Sequence, residues 1–507
     1  MKTFYITTTL PYVNADPHIG FAFELISADI VARYKGLSGD EVFFNTGTDE
    51  HGTKVWEKAK EEGKDTQTYV DEYAEKFKKL REPLGLLPDI NFIRTTDSHH
   101  KFAAQEFWKR CLASGDIYKK NYKIKNCVGC ELEKTESELV GGKCSVHPNL
   151  DLQTIEEENY FFRLSNYQQK LLDLYDANPD FVIPAYRLNE IRSLIKEKGL
   201  EDFSISRLKS KMPWGVPVPG DNDHVMYVWF DALVNYISAI GWPTDMTAFE
   251  KWWPVTQFAG KDQVRQQAVM WQAMLLSVGL PPSKQIVIHG FIQSGGQKMS
   301  KSLGNVIDPL ALVQEYARLP SPAGEANGGQ GTDALRWYLA RHVHPFEDSD
   351  FTVEKFKEAY NADLANGIGN LTSRIMKMAA DHQVLLPDSA PPQLRRSAES
   401  SRRGGGVSET GDFPPEFAKS LESYQIQHAA EIISESIAVL DRRIQETAPF
   451  KLVKEDKEKG DALIQELVVG LYTVARMLHP ILPQTSDTIK ELIVGNRMPS
   501  QPLFPRK

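Results

Sequence analysis

The first 45 residues run strand, turn, helix, strand, an order that leaves few folds open. Thr3–Thr9 is a β-rich apolar run that stops at Pro11. From Gly20 the apolar positions Phe23, Ile26, Ile30 and Tyr34 recur at helical spacing, and the pattern ends near Gly36 and Gly39. Glu41–Asn45 reads as a second strand, with a helix following from about Thr53 to Glu62. Strands joined through a helix pair in parallel, so the chain predicts a nucleotide-binding parallel sheet with ligands at its C-terminal strand ends. The strand-helix rhythm returns at Val225–Trp229, Val255–Ala259 and Gln285–His289 to complete that sheet.

Two kinds of segment interrupt or follow it. Residues 116–215 break the rhythm and carry a cysteine cluster, so they read as an insertion. From about 355 the chain is helical, with amphipathic stretches at 355–380, 415–445 and 461–479. The expected organisation is a Rossmann-like α/β catalytic domain in two halves (1–115 and 216–310), split by the insertion at 116–215. A connector (311–354) and an all-α bundle (355–507) follow. At 507 residues the chain is too long for one core. The stretches 320–331 and 388–415 are rich in Pro, Gly, Ser and Ala, a composition that buries too little to fold alone.

The opening Met1-Lys2-Thr3-Phe4-Tyr5-Ile6 gives way to threonines and Pro11, so no secretory core forms, and no run is long enough to span a bilayer. A cytoplasmic protein is expected, a bacterial cytosol ahead of an organelle. The net charge of −9 argues against indiscriminate nucleic-acid binding but not against local patches, of which Lys119–Lys125 is a candidate or simply a solvated face.

Of the four cysteines, three cluster, leaving Cys111 as an expected core residue. Cys127-x2-Cys130 and Cys144-x2-His147 are two tight turns, each offering two ligands, which together close a tetrahedron around one ion. With no ligand position left open, one structural Zn2+ per chain is expected, and its affinity would order the polar stretch between the turns.

The chemistry-bearing motifs are Pro17-His18-Ile19-Gly20 and, about 280 residues on, Lys298-Met299-Ser300-Lys301-Ser302. A helix N-terminus offers free N–H groups to phosphate, Gly20 lets the backbone approach, and His18 can donate to a phosphate oxygen. Two lysines with Ser300 and Ser302 suit a loop that closes over triphosphate, and Gly295-Gly296 supplies a hinge.

On these two motifs, in this order, the chain resembles the class I aminoacyl-tRNA synthetases, and in its details the methionine-specific family. The resemblance runs from Thr3 to about His479, with 318–331 and 388–415 outside it. It implies attack of methionine on ATP with Mg2+ assisting, then transfer to initiator and elongator tRNA(Met). His18 and Gly20 would hold the α-phosphate, and Lys298 and Lys301 the pyrophosphate, with Met299, Ser300 and Ser302 in the same ATP site. Gly260 and Asp262 would meet the ribose. Asp49, in Thr46-Gly47-Thr48-Asp49-Glu50-His51-Gly52, matches the residue that binds the α-amino group, although a helix N-cap is also open to it. Trp229 would wall the L-methionine side chain, together with Tyr12. The Tyr236 hydroxyl and Leu10 N–H would face the sulfur, and His289 would close the far end. Asn370 and Arg374, four apart on one helix face, would read anticodon base edges, and Phe450 in Ala448-Pro449-Phe450 would stack on a base.

The chain departs from the family pattern at Phe21, where a second His usually follows Gly20. It departs again at Gln266-Gln267, where Phe-His is frequent, and at Leu233 and Ile288. A synthetase for leucine, isoleucine, valine or cysteine is the near alternative. A non-catalytic tRNA-binding relative and another nucleotidyl-transfer enzyme are the distant ones. The length beyond the helices carries no further tRNA-binding module, and a monomer is expected.

Overall fold

The structure is a computed structural model and describes residues 2–130, 132–134, 139–299, 304–317, 329–384 and 413–507. It opens with β1 (Thr3–Thr7), α1 (Ile19–Leu37), β2 (Glu41–Thr48), α2 (Thr53–Glu61), α3 (Thr66–Lys78), β3 (Asn91–Arg94) and α4 (Ser98–Ala113). A long antiparallel pair follows, β4 (Ile117–Cys127) with β5 (Gln153–Phe162). Then come β6 (Val182–Ile183), β7 (Thr256–Gly260) and β8 (Gln285–His289).

The main sheet is six-stranded and parallel, in the order β3-β2-β1-β7-β8-β6. β1 alternates its side chains between two cores: Phe4 and Ile6 join the one that runs into the helical region, and Tyr5 joins the aromatic one around Trp108, Trp229 and Trp271. Both faces are therefore covered, as a parallel sheet requires. The order reverses between β1 and β7, which is where the ligand crevice of a doubly wound sheet lies, at the strand ends.

Two readings change. Val225–Trp229 is not a strand of this sheet: His224–Met226 pairs antiparallel with Ser206–Leu208, and Val228–Ala232 turns into a short helix. The aromatic run is apolar because it lies in a core, and burial alone does not separate helix from strand. Val182–Ile183, inside the stretch read as insertion, adds the sixth strand.

The C-terminal half contains α5 (Gly329–Arg341), α6 (Asn370–Asp381), α7 (Ile426–Thr447), α8 (Lys457–Leu478) and α9 (Pro483–Val494). Arg336 of α5 is fully buried and joins them to the sheet domain. Its guanidinium donates to the carbonyls of Leu84, Gly85, Pro480 and Ile481 and to Asp29 of α1 at 2.7 Å. Beside it, buried Asp333 accepts twice from Thr485 on α9. Burial pushes the Asp333 carboxyl up to about 6, the Thr485 bonds and the Arg336 charge opposing it only in part. No helix among the described residues is long and apolar enough to cross a membrane.

Candidate active site

His18 caps α1. Its Nδ1 accepts from the Gly20 N–H at 3.1 Å, which in the neutral ring leaves Nε2 carrying the proton, a donor on an exposed imidazole. A Cβ on Gly20 would lie 2.9 Å from His18 Cε1 and 3.0 Å from Nδ1, so Gly20 is what lets the ring fold back over the helix start. The same Cβ would stand 3.9 Å from Met299 Cε, and Ile19 N–H donates to the Ile307 carbonyl at 3.0 Å. Met299 and Ile307 thus both meet the start of α1. Ser300, Lys301 and Ser302 lie outside the described residues, as does the side chain of Lys298. Gly295 and Gly296 form the two-residue turn of the hairpin pairing Ile292–Ser294 with Gln297–Lys298, both at positive φ.

Across the crevice, the register sets Gly260 beside His289. A Cβ on Gly260 would touch Asp262 Oδ1 at 2.9 Å and His289 Cε1 at 3.7 Å. His289 Nδ1 lies 2.8 Å from the Gly290 carbonyl and Nε2 2.9 Å from Glu24 Oε2. Burial opposes a charge on this ring, yet Glu24 and the Gly290 carbonyl outweigh it and hold its pKa above the ordinary value. Glu24 Oε1 in turn accepts from Thr9 N–H and Oγ1, tying α1, β8 and the segment after β1 together.

Asp49 is buried at the end of β2, where its N–H donates to the Pro11 carbonyl and its carbonyl accepts from Val13. This bridges Tyr12, flanked by half-buried Leu10, to the Thr46–Gly52 segment. Its neighbours are clamped. Glu50 receives Arg94 through two nitrogens, and His51 and His100 bond the two oxygens of buried Asp231 at 2.5 and 2.9 Å. Although burial raises it, Asp231 is held at about 2 by these two histidines. Two residues from Asp231, Trp229 meets Tyr12 edge-on with centroids 6.1 Å apart. Tyr236 is buried on the segment after Trp229, and its ring centroid lies 5.9 Å from that of Trp271.

Beyond this crevice the Sγ and ring-nitrogen atoms of Cys127, Cys130, Cys144 and His147 all lie within 4.8 Å of one another and can hold a metal ion. Cys130 and Cys144 sulfurs are 3.5 Å apart, and Cys130 Sγ is 3.2 Å from His147 Nδ1. Zn–S bonds of about 2.3 Å in a tetrahedron set sulfurs about 3.8 Å apart, so the donor set fits that ion. Gly129 has no room for a Cβ, which would meet His147 Cγ at 2.5 Å. The Gly129 carbonyl accepts from Lys54 Nζ at 2.6 Å, anchoring the knuckle to α2 directly after the Asp49 segment. Cys111 is a core residue whose thiol is raised by burial.

Residues 4–154 and 123–376 match the family model described as tRNA synthetases class I (M). The chain is 41% identical to a methionine–tRNA ligase of Thermotoga maritima over 503 residues, 98% of this chain and 76% of that protein. It is 39% identical to a methionine–tRNA ligase of Nostoc, covering 96% and 89%. The fold matches Mycobacterium tuberculosis methionyl-tRNA synthetase in complex with methionyl-adenylate at TM-score 0.85 and 35% identity, over 100% of both chains. The chain belongs to the methionyl class I tRNA synthetases.

In this synthetase the departures have structural partners. Phe21 packs edge-on against Phe77 at 5.2 Å and lines a shallow cleft with Leu25, Phe77 and Phe92, so its ring is part of an apolar surface. Gln267 is buried and amide-bonded. In the helical half, Asn370 is exposed, Arg374 pairs with Asp441 of α7, and Phe450 is 48% exposed just past the end of that helix. The Lys119–Lys125 run faces Glu156–Glu158 across the β4–β5 pair, Lys119 bonding Asp221 and Lys123 bonding Glu156, so much of its charge is matched locally. Glu24, Asp231 and His100 escaped the sequence reading. Their only local signal is a charged or polar residue within an apolar run, and their partners lie 131 to 265 residues away.

Proposed function

We propose that this chain activates methionine with ATP, releasing pyrophosphate, and transfers the methionyl group from the adenylate to the 3′ end of tRNA(Met). The reading is carried by His18 and Gly20 meeting Met299 at the start of α1, and by Gly260, Asp262 and His289 meeting at the ends of β7 and β8, where Glu24 of α1 bonds His289. The bound methionyl-adenylate of the Mycobacterium tuberculosis relative, with the same fold, supports it.

In this reading the Asp49 carboxylate receives the methionine ammonium, and Tyr12 and Trp229 form the walls of an apolar slot with Leu10, Tyr236 and His289 around its end. With the ammonium and side chain held, the substrate carboxylate is presented to the α-phosphate, and positioning supplies much of the rate. His18 Nε2–H donates to the α-phosphate as negative charge builds there, and the N-terminus of α1 adds its dipole. Asp262 takes the ribose hydroxyls beside Gly260. Lys298 and Lys301, with Ser300 and Ser302, take the leaving pyrophosphate. Magnesium bound with the nucleotide supplies charge neutralisation on the phosphates. Cys127, Cys130, Cys144 and His147 hold one zinc ion that orders the knuckle and stands outside the chemistry. Asn370, Arg374 and Phe450 contact the anticodon, Arg374 exchanging Asp441 for a base edge and Phe450 stacking.

The test is amino-acid-dependent exchange of labelled pyrophosphate into ATP across all twenty amino acids, followed by charging of tRNA(Met). Exchange with methionine alone establishes the substrate. Exchange with another amino acid, or with none, overturns the reading.

A further inference from the structure

One buried carboxylate ties together the segments assigned to the two ends of the substrate. Asp231 is fully buried in the short helix Val228–Ala232, two residues after Trp229. Its Oδ2 lies 2.5 Å from Nδ1 of His51, two residues after Asp49, and its Oδ1 lies 2.9 Å from His100 Nε2 on α4. His100 carries the link onward, its Nδ1 lying 3.0 Å from Oγ of Ser238, two residues after Tyr236. All four side chains are buried.

An ionised carboxylate only accepts, so both rings turn an N–H toward Asp231, His51 through Nδ1 and His100 through Nε2. In its neutral form His100 then accepts at Nδ1 from the Ser238 hydroxyl. The His51 ring also meets Trp214, centroids 5.8 Å apart, and the Trp214 indole N–H donates to the Glu50 carbonyl at 2.6 Å. Stability alone does not call for such a group. Apolar residues of similar volume in place of a buried charged network are often neutral or stabilising, whereas a charge between two donors fixes directions. The bonded pairs are 180, 131 and 138 residues apart in sequence, so what the network fixes is the spacing of separate segments.

We propose that Asp231, through His51, sets the distance between Asp49 and Trp229, and with it the length of side chain that fits while the ammonium is held. This rests on the reading above that Asp49 receives the ammonium and Trp229 walls the slot. Asp231 and His51 are positioning residues: they act on the substrate through Asp49 and Trp229. Methionine is gripped at both ends at once, so a loosened spacing weakens its binding. A longer side chain recovers part of that loss because it fills the slack.

The experiment measures Kd by calorimetry for L-methionine and for L-ethionine, one methylene longer, with pyrophosphate exchange alongside. The unmodified chain is run first. If it shows no methionine-dependent exchange, the proposed function fails, and that is visible before any variant is made. His51→Leu removes the donor at similar volume. It is expected to raise the Kd for methionine about tenfold, the scale of one hydrogen bond to a charged group, with the KM for ATP kept within about twofold. The Kd for ethionine is expected to rise only about threefold, so the preference for methionine narrows. His51→Asn sets an amide nitrogen where Nδ1 stands and is expected to recover most of the loss. If the Leu variant does not fold, His51→Gln takes its place, because its amide nitrogen falls at the Nε2 position instead. A Kd for methionine within about twofold of the parent in a folded Leu or Gln variant overturns the proposal. So do equal losses for methionine and ethionine, or an Asn variant as weak as the Leu or Gln one.

Discussion

Replacing Gly20 by Ala separates the catalytic use of the His18 turn from its structural use. The new Cβ would sit 2.9 Å from His18 Cε1 and 3.0 Å from Nδ1, against ordinary contacts nearer 3.5–4 Å. The ring therefore retreats by about half an ångström or more, and the 3.1 Å bond from the Gly20 N–H to Nδ1 is lost. Removing a whole donor from a charge-stabilising site costs about 10²–10³ in kcat, and a displaced ring retains part of that, so a fall of about 10- to 100-fold is expected. The helix responds little. Gly20 lies in α1 without positive φ, so Ala there stabilises by about 0.4–1 kcal/mol, and the lost His18 cap costs about as much. The paired measurement is kcat for methionine-dependent pyrophosphate exchange against the melting temperature. Activity falling while melting holds or rises is the expected result. Exchange within about twofold of the parent, or a melting temperature that falls with it, refutes the link between Gly20 and the His18 ring.

Glu24→Gln removes the charge that raises the His289 pKa. With a raised folded pKa, the pair's stabilisation is complete below the unfolded histidine value and is lost as pH rises through the folded one. In the variant that loss moves to lower pH, read from the His289 ring signals by NMR, and an unmoved titration contradicts it. Asp333→Asn tests the same sign on a buried carboxyl. Native Asp333 keeps its proton up to about pH 6 while the unfolded chain releases it near 4, so the parent loses stability between those values, about 3 kcal/mol in full. The Asn variant should show a flatter stability profile from pH 4 to 7 in denaturant melts, and an unchanged slope sinks the assignment. Cys144→Ala should release the metal and loosen the knuckle, read by metal content and by proteolysis of 127–147. Retained stoichiometric zinc contradicts a four-ligand site.

What the sequence disclosed depends on how far apart the partners lie. The His18-Gly20 turn and the two Cys/His turns were legible because each motif is local and its residue types state their chemistry. The Gln285–His289 strand was legible because its apolar run is short and bounded. Val225–Trp229 misled because its apolar character comes from the aromatic core, which a short helix fills as well as a strand. Val182–Ile183 is too short to carry a pattern, and only its pairing with β8 makes it a strand. Glu24 and Arg336 are charged residues within helices, where solvent is the ordinary destination. Their burial depends on His289 and on Pro480 and Ile481, which no local window contains. The buried Gln257–Gln267 hydrogen bond was announced only by a departure from the Phe-His pattern, and its geometry was not readable from it.

Arg336 has a bearing on how the protein is made. Two of its acceptors, the carbonyls of Pro480 and Ile481, lie 144 and 145 residues downstream. At about 5–20 residues per second a ribosome needs roughly 7–30 s to supply them. Through that interval a guanidinium that cannot shed its proton has to stay hydrated, so α5 cannot settle fully against the sheet domain. The nascent chain is thereby held partly open until α8 is complete, and a product cut short before residue 480 keeps a charge it cannot bury, exposing it to the proteases that clear unfinished proteins.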